Sequence, residues 1–275
     1  MPELPETETI ARGLERAIAG ALITRVAVRR ADVLREVSAR TLRRRVSGAT
    51  ILHSARRAKL VTLLLDSGDR IVVQPRFTGA LLIDDGTLPD EERRYSAVAF
   101  TLEDGRTVHY RDIRRLGTVT LMTGARWAEY SGALGPEPLD LEFTPMALSG
   151  LLRGSRQAVK KLLMDQRRLA GIGNIYAAEA LWRARVDPSR PGRSITPAEA
   201  AALHAGVTGV LREAIAAGGT TFRDYRGAFG ERGTFAPFLA AYGREGAPCR
   251  RCGARLVGTR EIDGRATVFC AKCQR

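Results

Sequence analysis

The stretch Cys249–Cys273, CRRCGARLVGTREIDGRATVFCAKC, decides the fold of the C-terminal end of the chain. It contains all four cysteines of the protein, as two C-x2-C pairs separated by 17 residues. Four thiolates at this spacing are typical of a tetrahedral Zn²⁺ site, in which the four cysteines leave no coordination position open for chemistry. Two structural disulfides are the alternative, which a chain without a secretion signal disfavours. The predicted ligands of one structural zinc ion are Cys249, Cys252, Cys270 and Cys273.

The segment between the two pairs, Arg255–Phe269, predicts a short β-hairpin with Asp263-Gly264 at its turn. Together with the cysteines it predicts a zinc-finger hairpin over residues 236–275.

The residues before this hairpin carry helix signals. A helix is predicted from Thr144-Pro145, a second over Ala158–Arg168 and a third from an Asn174 N-cap to about Arg185. The run Thr196–Glu199 combines a capping box with proline at the first helical position, and Gly218-Gly219 ends the helix that it opens. We therefore expect a helical domain over residues 144–235, after a Gly/Pro-rich hinge at 132–143.

Strand signals dominate the first 131 residues, after one amphipathic helix predicted over Leu4–Gly20. Asp104-Gly105 is a strong hairpin signal between two of the predicted strands. The strand-like runs are Leu60–Leu65, Arg70–Val73, Ala80–Ile83, Ala97–Leu102 and Thr107–Tyr110. The predicted fold class is α+β with several domains, beginning with an antiparallel β-sandwich or barrel.

Composition indicates the class of partner. Lys and Arg number 44 against 30 for Asp and Glu, a formal net charge of +14 that favours nucleic acid, although a merely cationic surface gives the same count. No apolar run approaches the roughly 20 residues of a membrane span, and the N-terminus lacks a signal-peptide pattern. A cytoplasmic protein is expected. There is no P-loop or dinucleotide fingerprint to indicate a nucleotide cofactor.

The first residues, Met1-Pro2-Glu3, carry a possible nucleophile. If Met1 is removed, Pro2 presents a secondary amine of pKa roughly 8, partly neutral near pH 7 and able to form an iminium ion with an electrophilic carbon. Glu3 could then act as general acid or base. With Met1 attached, the Pro2 nitrogen is a tertiary amide and unreactive. A disordered terminus is the alternative.

Several spaced motifs resemble those of the bacterial formamidopyrimidine-DNA glycosylases, relatives of the endonuclease VIII family. The resemblance is colinear over essentially the full length. The motifs are MPELPETET at the start, Arg57-Ala58-Lys59, Arg114-Arg115-Leu116-Gly117, LLMDQRRLAGIGNIYAAEALW (162–182), GGTTFRDY (218–225) and the cysteine-rich end.

The resemblance implies a β-sandwich over residues 1–131, a helix–two-turn–helix domain and a terminal zinc finger. It implies a bifunctional DNA glycosylase and abasic-site lyase that excises oxidised purines, such as 8-oxoguanine and formamidopyrimidines, from duplex DNA in base excision repair. By resemblance, Pro2 is the Schiff-base nucleophile at C1′ and Glu3 the proton donor. Lys59 would act in β-elimination, and Arg265 in δ-elimination and phosphate binding.

The resemblance also implies a set of DNA-binding residues. Phe77 stands where the family has an intercalating methionine, and Leu116 where it has phenylalanine beside an arginine, here Arg114. Both departures leave lesion and opposite-base preference open. Tyr95 stands at a DNA-contacting position where the family often has histidine. The remaining predicted contacts, along the phosphate path, are Asn174, Arg156 and Lys160.

Each of these residues has a structural alternative. Lys59 is also interpretable as a solvated charge at a strand edge, Asn174 as an ordinary N-cap and Arg265 as a cap of the hairpin. Lys160, with Arg153 and Arg156, would then form only a solvated helix face.

Two other functions compete with the oxidised-purine enzyme. An endonuclease VIII-like glycosylase for oxidised pyrimidines is disfavoured by the GGTT segment, and a non-catalytic DNA-binding zinc protein by the presence of Pro2, Glu3 and Lys59. The expected partner is double-stranded DNA containing oxidised bases, with no membrane. A monomer is expected, in the bacterial cytoplasm and associated with the nucleoid through DNA.

Overall fold

Strands dominate the first half of the chain and helices the second. The computed structural model describes residues 2–275 and confirms the α+β class. Two compact units divide the chain. The first contains the residues up to Gly132 together with Ile215–Ala236, and the second contains Ala133–Ala214 and Pro237–Arg275.

The first unit is an antiparallel β-sandwich. Its sheets have the strand orders β2-β3-β4-β8 and β1-β6-β7-β5, and side chains from both enter one apolar core. The strands are β1 (Ile23–Val28), β2 (Ile51–Arg57), β3 (Leu60–Leu65), β4 (Arg70–Gln74), β5 (Gly79–Asp84), β6 (Ser96–Leu102), β7 (Thr107–Asp112) and β8 (Thr118–Met122). The helices are α1 (Leu4–Ile18), α2 (Ala39–Val46), α3 (Asp90–Arg93) and α4 (Gly124–Gly132).

Helix α1 is amphipathic, as the spacing of its apolar residues predicts. Ile10, Leu14 and Ile18 are fully buried in the sandwich core. The predicted turn at Asp104-Gly105 joins β6 to β7, with Gly105 at φ +87°. The sequence analysis does not predict strands β1, β2 and β8. In β1 and β2, polar residues interrupt the apolar run that would indicate a strand.

The segment Ile215–Ala236 packs within the first unit, although the sequence placed it with the helical domain. The backbone N–H of Ile83 donates to the carbonyl of Ala228 at 2.8 Å. Gly13 of α1 lies so close to this segment that a Cβ there would come within 2.7 Å of the Ala228 Cβ. Both contacts bring the end of the segment against α1 and the sheet.

The second unit contains four further helices and the predicted hairpin. These helices are α5 (Pro145–Leu152), α6 (Val159–Met164), α7 (Asn174–Ala184) and α8 (Pro197–Ala216), the last of which ends inside the first unit. The hairpin strands are β9 (Val257–Thr259) and β10 (Thr267–Phe269). The caps at Thr144 and at Thr196 with Glu199 form as predicted.

Two helix predictions are corrected. The helix predicted over Ala158–Arg168 ends at Met164, since the chain turns at Asp165, whose carbonyl accepts the N–H of Leu169. Asn174 is not the N-cap of α7: Gly173 takes that position, and Asn174 is the first helical residue. Its side chain is therefore available for another contact.

Across residues 2–275, none of the helices is both long enough and apolar enough to cross a bilayer.

Candidate functional site

The N-terminal tip is ordered from Pro2 onward and begins a helix. Glu3 is the N-cap of α1 and forms a capping box with Glu6, whose Oε2 accepts the N–H of Glu3 at 2.8 Å. Thr7 Oγ1 lies 2.9 Å from the Glu3 carbonyl oxygen, and both Pro2 and Glu3 are buried. The alternative of a disordered tip is therefore wrong for these residues. Met1, whose removal the sequence argument requires, lies outside the described residues.

Lys59 lies in the two-residue turn between β2 and β3, where Ala58 adopts φ +52°. The Ala58 carbonyl oxygen lies 3.2 Å from a guanidinium nitrogen of Arg56 and 3.5 Å from Thr7 Oγ1. The turn is thus attached to the first turn of α1. Lys59 is partly buried rather than a solvated strand-edge charge. The turn that carries Lys59 therefore lies against the first turn of the helix that Glu3 caps.

The segment Gly218–Tyr225, here called the recognition loop, is held against the same helix end. Glu6 Oε1 accepts the N–H of Thr220 at 2.7 Å, while its other oxygen holds Glu3. The Tyr225 hydroxyl lies 3.0 Å from the carbonyl oxygen of Gly218 and 3.3 Å from that of Glu6. Burial raises the pKa of Tyr225 well above its ordinary value, so this hydroxyl stays a donor. Glu6 therefore joins the recognition loop to the N-terminal tip.

A cavity of about 270 Å³ opens beside the recognition loop, within the first unit. That volume is close to the lower limit of ligand pockets, roughly 300 Å³. Its lining residues are Phe77, Thr78, Arg114, Thr220, Phe222, Arg223, Asp224 and Tyr225. It combines aromatic and charged side chains.

Two exposed loops border this cavity, here called the first wedge loop (residues 75–78) and the second wedge loop (residues 113–117). Phe77 is 48% exposed and Leu116 is 39% exposed. The Arg114 guanidinium carbon lies 5.2 Å from the centre of the Phe77 ring. Large apolar side chains in water mark an interaction surface. Tyr95 is partly exposed, and its ring lies 4.7 Å from the Arg94 guanidinium carbon.

The four cysteines of the second unit converge as the sequence predicts. Their sulfur atoms all lie within 4.8 Å of one another, and all four are free thiols. Tetrahedral Zn²⁺ with Zn–S bonds of about 2.3 Å places its sulfur ligands about 3.8 Å apart, so the cluster fits a metal ion of that size. The side chain of Trp182 packs against it. The cluster therefore suggests a structural metal site, and the four free thiols contradict the disulfide alternative.

The hairpin turn that carries Arg265 is held from inside the second unit. Asp263 Oδ1 accepts the N–H of Arg265 at 3.0 Å and lies 3.5 Å from Lys160 Nζ. The same ammonium donates to Thr267 Oγ1 at 2.7 Å, and Asn174 Nδ2 donates to the carbonyl of Ala266 at 2.9 Å. Arg265 itself is exposed.

Lys160 differs from its predicted environment. The sequence suggested a phosphate path or a solvated helix face with Arg153 and Arg156, but Lys160 is fully buried, whereas the two arginines are exposed. It lies beneath the hairpin because the short helix α6 directs it toward Thr267 and Asp263.

Sequence reasoning missed three residues of this site: Glu6, Thr78, which lines the cavity, and Asp112, whose carboxylate accepts the Thr78 hydroxyl. Glu6 had a signal, because an acidic residue three positions after the N-cap indicates a capping box. Asp112 and Thr78 carry no motif. They are found only because strand pairing places Gly79 opposite Asp112.

Family models match most of the chain. Residues 1–119 match the N-terminal domain of formamidopyrimidine-DNA glycosylase, and residues 134–226 match its H2TH domain. Among curated relatives, the formamidopyrimidine-DNA glycosylase of Roseiflexus sp. is 42% identical over 278 residues. That of Xanthomonas euvesicatoria is 41% identical over 276 residues. Both alignments cover 100% of each chain.

Solved structures agree. The MutM (Fpg) protein of Thermus thermophilus superposes with a TM-score of 0.87 at 37% identity, covering 99% of this chain and 98% of that one. Wild-type Lactococcus lactis Fpg, in complex with DNA containing N7-benzyl-Fapy-dG, superposes with a TM-score of 0.90 at 30% identity, covering 100% of both chains. By sequence and by fold over its whole length, the chain belongs to the formamidopyrimidine-DNA glycosylase family.

Proposed function

We propose that this protein is a bifunctional DNA glycosylase and abasic-site lyase that removes oxidised purines from duplex DNA in base excision repair. The observation that carries the proposal is the N-terminal tip of the first unit. There Glu6 fixes Glu3 and the recognition loop together, and Thr7 attaches the Lys59 turn. The curated relatives carry the name of this activity, and a solved relative binds DNA containing a formamidopyrimidine lesion.

The reaction begins at Pro2 after Met1 is removed. The secondary amine attacks C1′ of the damaged nucleotide, the glycosidic bond breaks, and the base leaves with a proton donated by Glu3, while the attacking nitrogen loses its own proton. The C1′–O4′ bond then breaks as O4′ takes up a proton, and the nitrogen lone pair forms the C=N bond of an iminium ion. Proline suits this step because the resulting iminium nitrogen carries no hydrogen and cannot become neutral by losing a proton. The positive nitrogen therefore remains an electron sink for the next step.

Strand cleavage follows from the same iminium ion. Lys59 accepts a proton from C2′, and the electron pair released breaks the C3′–O bond, which frees one phosphate end. Arg265 stabilises phosphate during the second elimination, which breaks the bond on the 5′ side. Its planar guanidinium presents several N–H donors in a geometry that matches phosphate oxygens.

DNA binding is proposed to be electrostatic, with insertion of the wedge loops. The net charge of +14 favours the phosphate backbone. The exposed Arg156 and Arg265 and the partly exposed Tyr95 would contact phosphates. Phe77, Arg114 and Leu116 would fill the space left by the flipped base. Asn174 and Lys160 support the hairpin that contributes Arg265. We propose that the protein acts as a monomer on the DNA of a bacterial nucleoid.

Zinc is the metal proposed for the cysteine cluster. Four thiolates without histidine or carboxylate favour Zn²⁺ in a closed structural site. The ion would stiffen the hairpin that carries Arg265 and take no part in the reaction. Metal analysis of native protein is expected to find about one zinc per chain. Native protein that binds damaged DNA without zinc would contradict this assignment.

Covalent trapping tests the function. The protein is incubated with a duplex containing 8-oxoguanine and borohydride, which reduces the iminium ion to a stable adduct, and mass spectrometry locates the DNA. The expected adduct is on Pro2. A chain with an uncleavable extension before Pro2 is the matched control and is expected to form none. Full trapping by the extended chain, or an adduct on Lys59 alone, would show that Pro2 is not the nucleophile.

A further inference from the structure

The two wedge loops present their side chains from separate connections of the sandwich. Phe77 lies between β4 and β5, and Arg114 and Leu116 lie between β7 and β8. At the surface, the loops meet through the Arg114 guanidinium over the Phe77 ring. A cation–π contact in water is weak. A firmer connection is needed if the loops are to enter DNA at a fixed spacing.

That connection lies beneath the loop tips and consists of one hydroxyl and one carboxylate. The Thr78 hydroxyl donates to Asp112 Oδ1 and accepts the N–H of Arg114 at 3.0 Å. Asp112 Oδ2 accepts the N–H of Gly117 at 2.8 Å. These hydrogen bonds join the end of the first wedge loop to both ends of the second.

The connection between the two loops is buried and closely packed. Thr78 and Asp112 are each 2% exposed. A Cβ at residue 117 would lie 2.1 Å from the Tyr110 hydroxyl oxygen and 2.5 Å from the Gln74 carbonyl oxygen, so only glycine permits this approach. Hydrogen bonds from N–H groups to a buried carboxylate are short and strongly directional. The spacing of the loops is therefore set below the surface.

The same network extends to the recognition loop. A guanidinium nitrogen of Arg111, which is 3% exposed, donates to the Thr78 carbonyl at 2.9 Å and to the Asp224 carbonyl at 3.2 Å. Movement of the wedge loops would therefore disturb the wall of the cavity beside them.

We propose that Thr78 and Asp112 are positioning residues for DNA insertion. They hold the two wedge loops at one spacing, so that Phe77, Arg114 and Leu116 enter the duplex as a single rigid unit. Neither buried side chain is expected to contact DNA. The inference rests on the proposed function only in taking damaged duplex DNA as the partner.

The test measures insertion separately from chemistry. Duplex DNA carries a non-cleavable abasic analogue, with 2-aminopurine as the neighbouring base, whose fluorescence rises when it is unstacked. Thr78→Val keeps the side-chain shape and removes both hydrogen bonds, and Thr78→Ser restores the hydroxyl. Thr62→Val is the matched control, since it removes a buried hydroxyl from β3 that bonds only the Ala55 carbonyl. Borohydride trapping on single-stranded abasic DNA, which requires no wedge, measures the chemistry.

Thr78→Val is expected to slow insertion roughly tenfold, because a buried N–H loses its acceptor. Thr78→Ser should recover most of the rate, and Thr62→Val should resemble the unsubstituted protein. Trapping on single-stranded abasic DNA should fall much less than insertion in the two Thr78 variants and should be unchanged in Thr62→Val. Asp112→Asn should also lose insertion much more than single-strand trapping, and its loss of insertion should exceed that of Thr78→Val, provided that circular dichroism shows the variant to be folded.

Insertion by Thr78→Val at the unsubstituted rate would overturn the proposal. Equal losses of insertion and single-strand trapping would also overturn it, since they would indicate a general structural role. A failure of the proposed function would give a different result. The unsubstituted protein would insert into the duplex and Thr78→Val would insert more slowly, yet neither would excise a base. No fluorescence change with unsubstituted protein would contradict the positioning role itself.

Discussion

The second wedge loop and the hairpin of β9 and β10 both present an arginine to solvent, and each arginine lies above a buried polar residue. Beneath Arg114 the organising group is the Asp112 carboxylate, which accepts the N–H of Gly117 and the hydroxyls of Thr78 and Tyr110. Beneath Arg265 it is the Lys160 ammonium, which donates to side-chain oxygens. A carboxylate is unsuited to binding phosphate because both are negatively charged, so an aspartate in the sequence is not mistaken for a DNA contact. A lysine in the sequence can equally bind phosphate or support a loop from below. Residue type therefore identifies direct DNA contacts less reliably at Lys160 in the second unit than at Asp112 in the first.

Glu3→Gln gives the largest effect, because it changes a group proposed to act directly. Excision of 8-oxoguanine from duplex DNA should slow by roughly 10²- to 10⁴-fold, the usual contribution of a general acid. Cleavage of a preformed abasic site should fall much less, since no base remains to be expelled. Single-turnover rates on the two substrates measure both effects.

The control for this prediction is Glu8→Gln, on the same helix. Glu8 pairs with Arg12 and Arg56, so the substitution removes a charge near the site without touching the capping box. It should alter the excision rate only slightly. If Glu3→Gln lost both activities equally, Glu3 would support the helix start rather than donate a proton.

Lys160→Met tests the supporting role in the second unit with an intermediate effect. Loss of the ammonium leaves the carboxylate of Asp263, whose side chain is 6% exposed, without its cation. Breaking a buried ion pair by removing one partner costs about 3 kcal/mol or more, and the long 3.5 Å separation here places the effect at the low end. Thermal unfolding should begin at lower temperature, zinc should be released more readily to a chelator, and DNA affinity should fall.

The dependence of affinity on salt distinguishes support from contact. Lys160 is fully buried, so Lys160→Met should leave the slope of log affinity against log salt unchanged. Lys161→Met is the matched control: the adjacent lysine is exposed, and its substitution should not affect zinc retention. If Lys160→Met reduced the slope by the amount expected for one phosphate contact, Lys160 would contact DNA directly, as the sequence suggested.

The sequence predicted much of this molecule because its signals are local. The cysteine spacing, the cap at Thr196 with Glu199 and the turn at Asp104-Gly105 each depend on a few adjacent residues, and the structure contains all three. Asp112 and Thr78 lie 34 residues apart and meet through strand register, which no local pattern encodes. Burial of Lys160 likewise depends on a hairpin more than 100 residues later, since 107 residues separate it from Thr267.

Arg156→Ala should give the smallest effect and completes the contrast with Lys160. Arg156 is exposed at the start of the segment that leads into α6. If it contacts one phosphate, its removal should reduce the salt slope by about 0.9 and weaken binding to all duplexes alike, because phosphate contacts carry no sequence information. Affinity for a non-cleavable abasic duplex, measured at several salt concentrations, gives this slope, and zinc content and unfolding temperature should stay unchanged. An unchanged slope would place Arg156 outside the DNA contact, leaving Arg265 to account for phosphate binding near the hairpin.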